Sequence, residues 1–413
     1  MAHMYNRPSG NSTHGQNTIT HYYDKAGIKA SNEVAIYTQF ADRKHMPLRH
    51  GTTYKISKWM HIYDRALTDP EFASRGYITS RSIVDVAGGL DGIALSEGAT
   101  TGKKQTIQKV TLETTFARYG EMMEYTDEVD MFSEDAVQVR MREELGRLAN
   151  VRYEDLLQRD LLATPTVMYS GMATSMSTIG GEVVNPNGTD DDFARVSYDL
   201  FRKAVRKLVR NRAEKNTSIV TGSTKIGTTP VSKSFYAIIG AEVKYDLESL
   251  TRGGTYEKEY VFYPVSTYAD AATLAEGEVG SMGDVRFIES EMAMRYSGAG
   301  AVVPANYAGE LSTTTLQAGD AAALTAFTGA TAGTYTDGEE RFDVFPILFP
   351  TKGSFATVGL KGQGKIKFNS QSPSKIELNN PFGTQGFMSY NMWYASIILR
   401  EERLLKVLVA ASA

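Results

Sequence analysis

The histidines are the residues with the most obvious catalytic and metal-binding potential. They are His3, His14, His21, His45, His50 and His61, so all six lie in the first 61 residues. His45 and His50 are five residues apart, whereas two ligands on one helical face need a spacing of about four, and the chain has no His-Glu-x-x-His motif. The body of the chain therefore cannot build a histidine triad or a zinc site, and we expect no bound metal.

Two glycine-rich stretches invite comparison with phosphate-binding loops. In Gly98–Lys104 the spacer has three residues instead of about four, and Lys104 stands where a Ser or Thr would bind magnesium. Gly277, Gly280 and Gly283 follow a G-x-x-G-x-x-G spacing, which differs from the dinucleotide fingerprint. The sequence therefore predicts no nucleotide cofactor.

The acidic residues do not form a catalytic pattern either. The segment from Asn185 through Asp190–Asp192 lacks the spacing of a calcium loop, and its Asn-Gly step favours a turn. Carboxylate pairs such as Glu276 and Glu278 are too common to indicate a hydrolase. There is no Gly-x-Ser-x-Gly elbow and no cysteine, which excludes thiolate nucleophiles. The prediction is that the chain is not an enzyme and needs no cofactor.

Composition points to a folded chain with an uneven charge distribution. A length of 413 residues predicts two or three subdomains, and no apolar run approaches the length of a membrane span. Residues 1–61 contain eight basic and three acidic residues, so they carry +5 while the remainder carries −9. A basic N-terminal segment suits an acidic neighbouring subunit or nucleic acid, but a solvated tail explains it equally well. The polar N-terminus lacks an apolar signal core, so we do not expect export by that route.

The N-terminal third has the pattern of a projecting arm. Residues 1–45 show no helical period and are expected to be extended. Tyr54–Trp59 and Thr106–Thr114 both alternate apolar and polar residues, which predicts two paired strands. The long glycine-containing insertion between them predicts that this hairpin reaches away from the body.

Two helices are predicted with strong signals. Ser133–Ala163 has Ser133 as its N-cap and apolar residues at helical spacing, and would extend roughly 45 Å. Tyr198–Arg212 combines an apolar face with a stripe of Arg202, Arg206 and Arg210. That stripe suits phosphates, although a solvated or subunit-facing surface is the favoured interpretation.

The remaining segments predict an α+β protein with mixed sheets, because no βαβ alternation is sustained. Gly277–Ser290 is predicted to be a tight glycine turn that leads into a strand. Residues 297–340 are rich in Ala, Thr and Gly and are predicted to form a surface insertion. The other predicted elements are strands at Ser234–Gly240, Phe355–Leu360, Lys365–Phe368 and Tyr390–Arg400 and a helix at Glu242–Leu250.

Three groups of motifs resemble the major capsid proteins of N4-type tailed phages, which have the HK97-like fold. The motifs are Leu95–Gly98 with Val110–Gly120 and Glu124–Asp127, then Tyr245–Leu247 with Gly277–Glu289, and finally Asn380–Phe387 with Trp393–Leu399. The chain departs from the family pattern at Asp284, where a glycine is frequent, and in 297–340.

The resemblance implies a modular shell subunit. Its parts would be an N-terminal arm at 1–45, an extended loop at 46–120, a peripheral domain at 121–195 that includes spine helix 133–163, an axial domain at 196–345 that includes insertion 297–340, and C-terminal strands at 346–413 that return to the peripheral domain. Such subunits form hexamers and pentamers of an icosahedral shell around double-stranded DNA. The shell would form in the host cytoplasm with a portal and with scaffolding or decoration proteins, and without a membrane.

The resemblance also implies contact residues between subunits. We expect Ile56, Trp59, Val110 and Leu112 of the arm to pack against neighbouring subunits, and Glu97, Lys103 and Lys104 to make charged contacts. Gly277, Gly280 and Gly283 would shape a loop of the axial domain. Nothing in the sequence supports a covalent cross-link from Lys103 or Lys104 to Asn379 or Asn380.

Three alternatives remain open at this point. An encapsulin-type compartment would use the same fold to enclose enzyme cargo. A tail or adhesion protein would form trimers or rings. A carboxylate-based glycan hydrolase would be the enzyme alternative.

Overall fold

The computed structural model shows an α+β fold, as predicted. It describes the following residues: 35–59, 83–90, 93–95, 97–98, 102, 107, 109–132, 137–181, 194–217, 231–250, 262–268, 274–305, 307–361, 366–376 and 380–413.

The described part of the chain contains six α-helices and seventeen strands. The α-helices are α1 (Ile83–Leu90), α2 (Asp127–Phe132), α3 (Val137–Leu162), α4 (Tyr198–Arg210), α5 (Ala241–Ser249) and α6 (Asp320–Thr328). The strands are β1 (Asp42–Met46), β2 (Thr53–Trp59), β3 (Lys109–Thr115), β4 (Ala117–Thr126), β5 (Val167–Tyr169), β6 (Phe235–Ile239), β7 (Tyr263–Pro264), β8 (Glu278–Met282), β9 (Val285–Glu289), β10 (Thr313–Thr315), β11 (Glu340–Phe342), β12 (Phe345–Phe349), β13 (Phe355–Leu360), β14 (Ile366–Gln371), β15 (Gln385–Tyr394), β16 (Ser396–Ile398) and β17 (Leu405–Val409). None of these helices is both long enough and apolar enough to cross a membrane.

The two strongly predicted helices are confirmed, with shifted ends. The long helix α3 ends one residue before the predicted Ala163, and its predicted cap Ser133 lies outside the described residues. Helix α4 begins after Ser197, whose side chain accepts a hydrogen bond from the Leu200 amide. It ends at Arg210 rather than Arg212, because Arg212 adopts a left-handed backbone with φ 56°.

A mixed seven-stranded sheet forms the largest layer. Its strand order is β5-β17-β12-β6-β9-β8-β7, with parallel pairs at β17/β5 and β6/β9 and antiparallel pairs elsewhere. Helices α4 and α5 cover one face, where Phe201 packs edge-on against Phe287 with ring centroids 5.1 Å apart. The other face packs against the C-terminal half of α3 through residues such as Ile238 and Leu157. Both faces are therefore covered, which explains why β6, β12 and β17 are buried at every position and, apart from Lys406, lack charged residues.

A second sheet lies along α3. Its strand order is β14-β15-β4, and the ten residues of β15 pair with all ten of β4. One face of β15 is buried at every second position, with Met388, Tyr390, Met392 and Tyr394 facing the helix. Tyr394 also donates a hydrogen bond of 2.6 Å to Asp160 on the helix, which fixes the helix against the sheet.

The predicted arm hairpin is confirmed in its described part. Strands β2 and β3 pair antiparallel, and a small sheet with order β1-β13-β16 lies beside them. The segment before the hairpin was expected to be an extended arm, but its end packs on the body, because β1 joins that small sheet in parallel with β13. Residues 35–46 thus belong to the folded body rather than to a free arm.

One prediction from composition needs correction, and a C-terminal strand was missed. The stretch 297–340 is not simply a surface insertion, because Ala299, Leu311, Leu316 and Tyr335 are buried, while α6 within it has no buried residue. Strand β17 was not predicted, although it lies between β5 and β12 in the large sheet. Its apolar run from Leu404 to Ala411 is a signal that fits a buried strand. The C-terminal region thus contributes strands to three sheets.

Candidate contact surfaces

The arm hairpin has an inner face that packs on its own chain. Ile56 lies directly opposite Leu112 in the strand register, and both are half-buried. They join Tyr54 against a cluster that includes Phe116 and Val358. The alternating pattern therefore has a structural cause within the subunit, and the proposed contact of Ile56 and Leu112 with neighbouring subunits stays a prediction.

The outer face of the hairpin carries an exposed tryptophan. Trp59 is opposite Lys109, whose Nζ lies 5.9 Å from the centre of the Trp59 ring, and Trp59 is 62% exposed. Lys55 and Glu113 form a solvent-exposed salt bridge of 2.8 Å on the same face, which lowers the pKa of the Glu113 carboxyl. An exposed tryptophan on a paired strand is a surface suited to contact with another protein.

The base of the hairpin is attached to the body by a second ion pair. Val110 is half-buried opposite Lys58, and the Lys58 Nζ lies 3.4 Å from Oε1 of Glu402. Both side chains of this pair are mostly buried. The hairpin is thereby oriented before any partner binds.

Beyond the hairpin, the arm exposes further apolar side chains. They are Ile83, Val84 and Leu90 of α1, followed by Ile93, Leu95 and Ile107. Glu97 is exposed next to them, as expected for a charged contact, whereas Lys103 and Lys104 lie outside the described residues. Single exposed apolar residues are ordinary, but six along one arm are typical of a surface that is covered in an assembly.

A second exposed apolar group, which we call the distal patch, lies at one end of the β14-β15-β4 sheet, where β4 ends and β15 begins. It consists of Val129, Met131, Phe132, Ile376 and Phe382, of which Phe132 and Phe382 are 84% and 88% exposed. The two segments are joined by a hydrogen bond of 3.0 Å from the Asp127 amide to the Thr384 carbonyl. Sequence analysis did not identify this patch, because its parts are about 250 residues apart in the chain.

The turn that presents Phe382 is organised by one side chain. The Asn380 amide nitrogen donates to the carbonyls of Pro373, Lys375 and Gln385, and its oxygen accepts from the Thr384 and Gln385 amides. Asn380 is therefore buried and fully hydrogen-bonded within its own chain. This arrangement explains the Asn380–Phe387 motif and argues against Asn380 as a cross-linking residue, while Asn379 lies outside the described residues.

The glycine-stepped segment is a β-hairpin rather than a turn before a single strand. Strands β8 and β9 pair antiparallel, with Gly283 in the connecting turn at φ 57° and Gly277 before β8 at φ 79°. Gly280 lies inside β8, not in a loop. A Cβ there would sit 2.7 Å from the Tyr263 carbonyl, so the close approach of β7 requires glycine.

The buried charges of this hairpin are structural. Glu278 and Arg286 face each other in the interior, and the guanidinium also lies 5.7 Å from the Tyr268 ring. Burial raises the pKa of the Glu278 carboxyl, while the Arg286 charge opposes that effect. The pair stabilises the hairpin and is not accessible to a substrate.

The other buried titratable groups also have structural partners. Asp246 accepts hydrogen bonds from the amide and hydroxyl of Ser412, at 2.9 and 2.5 Å, and so fixes the C-terminal residues to α5. Lys406 donates to the Leu162 carbonyl at 2.6 Å, at the end of α3. Within the described ranges, no three acidic or histidine side chains converge as metal ligands.

Comparisons with known proteins agree with this architecture. No family model matches the chain. It is 28% identical to the major capsid protein of Pseudomonas phage KPP21 over 420 residues, which is 96% of this chain and 94% of that protein.

Solved structures show the same fold at low sequence identity. The chain matches the capsid of Ralstonia phage GP4 with a TM-score of 0.53 and 10% identity, covering 97% of this chain and 99% of that one. It matches the capsid of cyanophage P-SCSP1u with a TM-score of 0.51 and 9% identity, covering 96% and 94%. The chain therefore has the HK97-like fold of phage capsid proteins, as the sequence motifs predicted.

Proposed function

We propose that this chain is a structural major capsid protein of N4-type. It assembles as hexamers and pentamers into the icosahedral head of a tailed phage and encloses double-stranded DNA. The observation that carries the proposal is the apolar arm, on which Trp59 and the side chains of α1 lie exposed although the body has complete hydrophobic cores. The likeness to the phage KPP21 protein over nearly the whole length supports it.

One strand connects the arm hairpin to the distal patch. Strand β4 begins two residues after β3 of the arm hairpin and ends at Thr126, next to the distal patch. Its ten residues extend over roughly 33 Å. A closed shell needs one contact that forms rings of subunits and another that joins the rings, and two separate surfaces meet this requirement.

We assign the arm to contacts within a ring. In this role Trp59, Ile56, Val110, Leu112 and Glu97 lie near a neighbouring subunit, and Trp59 supplies the largest apolar area. The distal patch then joins rings. Many modest contacts of this kind add up to a stable particle without one very large interface.

The domain boundaries follow the same proposal. Residues 1–45 would be the N-terminal arm, of which 35–45 are packed on the body. Residues 46–120, 121–195, 196–345 and 346–413 would be the extended loop, peripheral domain, axial domain and returning strands. The role of the chain is structural and its location is the virion. The portal, scaffolding or decoration proteins and DNA would be its partners, with assembly in the host cytoplasm.

Electron microscopy of the purified chain tests this proposal. The expected result is closed particles tens of nanometres wide, as is usual for shells of many subunits. Particles that contain protein cargo instead of genome-length nucleic acid after infection would support the encapsulin-type alternative. A chain that remains monomeric at all concentrations, or forms only trimers, would contradict the proposal.

A further inference from the structure

The arginine stripe of α4 lines an open groove. Arg202, Arg206 and Arg210 follow one another at a spacing of four residues, and all three side chains are exposed. Together with the β8–β9 turn at Met282–Val285, they enclose a groove of about 410 Å³. The structure thus places the predicted basic stripe and the predicted Gly283 loop at one surface.

None of the three arginines pairs with a carboxylate in the described part of the chain. Arg202 lies over the Tyr198 ring at 5.7 Å. After the hydrogen bond from Lys203, the positive charges of Arg202 and Arg206 help to lower the pKa of the Asp199 carboxyl without forming a salt bridge to it. By contrast, Lys203 on the same helix pairs with Asp199 at 2.7 Å. The acidic residue in the groove, Asp284, is neutralised by Lys215 at 2.9 Å. The groove therefore has excess positive charge on a chain whose net charge is −4.

The groove also has an apolar wall. Val205 and Val209 lie between the arginines, and Val209 is 54% exposed. Met282 and Val285 close the opposite side. A surface that alternates arginine and valine along one helix face matches a ligand that alternates carboxylates and apolar side chains.

We propose that this groove binds an acidic amphipathic helix of a second protein. The stripe from Arg202 to Arg210 spans about 12 Å along the helix axis, which corresponds to roughly two turns of a bound helix. Glutamate or aspartate of the ligand pairs with the arginines, while leucine-like side chains contact Val205 and Val209. Double-stranded DNA is less well matched, because a phosphate backbone offers nothing to the apolar wall.

The basic N-terminal segment of this chain is not the ligand, because its charge has the same sign as the groove. The inference is independent of shell assembly. Particle formation by the wild-type chain tests the proposed function, whereas ligand binding tests the groove.

Fluorescence anisotropy with the full chain tests the inference. The probe is a labelled helical peptide of about 18 residues with Glu and Leu at i, i+3 and i+4 spacing, and the comparison probes are the same peptide with Lys for Glu and a DNA duplex. The acidic peptide should bind, more weakly at high salt. The combined change Arg206→Gln and Arg210→Gln should raise its Kd at least about tenfold.

Matched variants separate charge, apolar contact and folding. Lys352→Gln, at an exposed position that does not line the groove, should leave the Kd unchanged, whereas Val209→Asp should weaken binding as much as the arginine changes. Unchanged thermal unfolding of each variant shows that the fold is intact. Equal binding by the double arginine variant, or DNA binding that depends on these arginines without peptide binding, would overturn the inference.

Discussion

Arg286 Nε lies 3.8 Å from Glu278 Oε1, and the two side chains are 0% and 1% exposed. They come from adjacent strands of the glycine-stepped hairpin, so the charges in this motif serve the interior of the subunit. A buried ion pair is costly to break, because removal of one partner leaves the other charge in a medium that solvates it poorly.

Arg286→Met should therefore destabilise the subunit strongly. We expect a loss of about 3–5 kcal/mol in the free energy of unfolding, measured by urea titration of dissociated subunits. Lys55→Met is the matched control, because it breaks the fully exposed pair with Glu113 and should leave the urea midpoint almost unchanged. Similar midpoints for Arg286→Met and wild type would show that the pair is not a structural requirement.

Lys406 should make stability depend on alkaline pH. Burial lowers the pKa of Lys406 to about 8, below the usual 10.5. Between these values the unfolded chain binds more protons than the folded one, so stability should rise with pH across this window, by at most about 3 kcal/mol. Urea titrations at several pH values should show this slope in wild type and not in Lys406→Met. An identical slope in both proteins would assign the effect to other groups.

Trp59→Ala should impair particle formation and leave the subunit folded. The side chain is mostly exposed in the single chain, so its loss removes an intersubunit contact rather than core packing. We expect the yield of closed particles, measured by sedimentation and microscopy, to fall at least about tenfold. Met172→Ala, in an exposed loop of the body, serves as the control for truncating an exposed apolar residue. Normal particle yield from Trp59→Ala would remove Trp59 from the proposed contacts.

Phe382→Ser should block a later step of assembly. Because Phe382 lies in the distal patch and is almost fully exposed, the subunit should remain as stable as wild type. If the patch joins rings, the variant should accumulate small rings instead of closed particles, as measured by sedimentation velocity. Asn380→Ala should have the same effect with an added loss of stability, since it leaves the carbonyls and amides of the turn without their partner. Closed particles at wild-type yield from Phe382→Ser would contradict this role.

Gly300→Ala should show that the low-complexity stretch is part of the core. A Cβ at Gly300 would sit 2.8 Å from the backbone oxygens of both Ile179 and Phe342, which cannot move without disturbing the turn at Ile179 and strand β11. We expect a loss of about 1–3 kcal/mol in unfolding free energy. Gly359→Ala meets only ordinary contacts with His45 at 3.4 Å and should cost clearly less. Equal stability of both variants would argue that 297–340 is loosely packed after all.

Much of the architecture followed from local patterns. The alternation in Tyr54–Trp59 predicted a strand and its pairing with the segment near Leu112, because side chains of a strand point to opposite faces at every second residue. Helix α4 was predicted with nearly correct ends because its apolar residues recur at helical spacing. Strand β13 was predicted with the correct ends. The motifs shared with phage capsid proteins then indicated the HK97-like fold and the structural role.

Tertiary structure alone decided which of these surfaces are available and which are buried. In the distal patch the Asp127 amide bonds to the Thr384 carbonyl, the buried ion pair joins Glu278 to Arg286, and the groove joins the arginines of α4 to the β8–β9 turn. The start of 297–340 also lies in the core, where Ile179 and Phe342 approach Gly300 closely enough to require glycine. Residue types and their spacing determine which elements form, but the exposure and neighbours of a side chain depend on contacts between distant segments, which local periodicity does not encode.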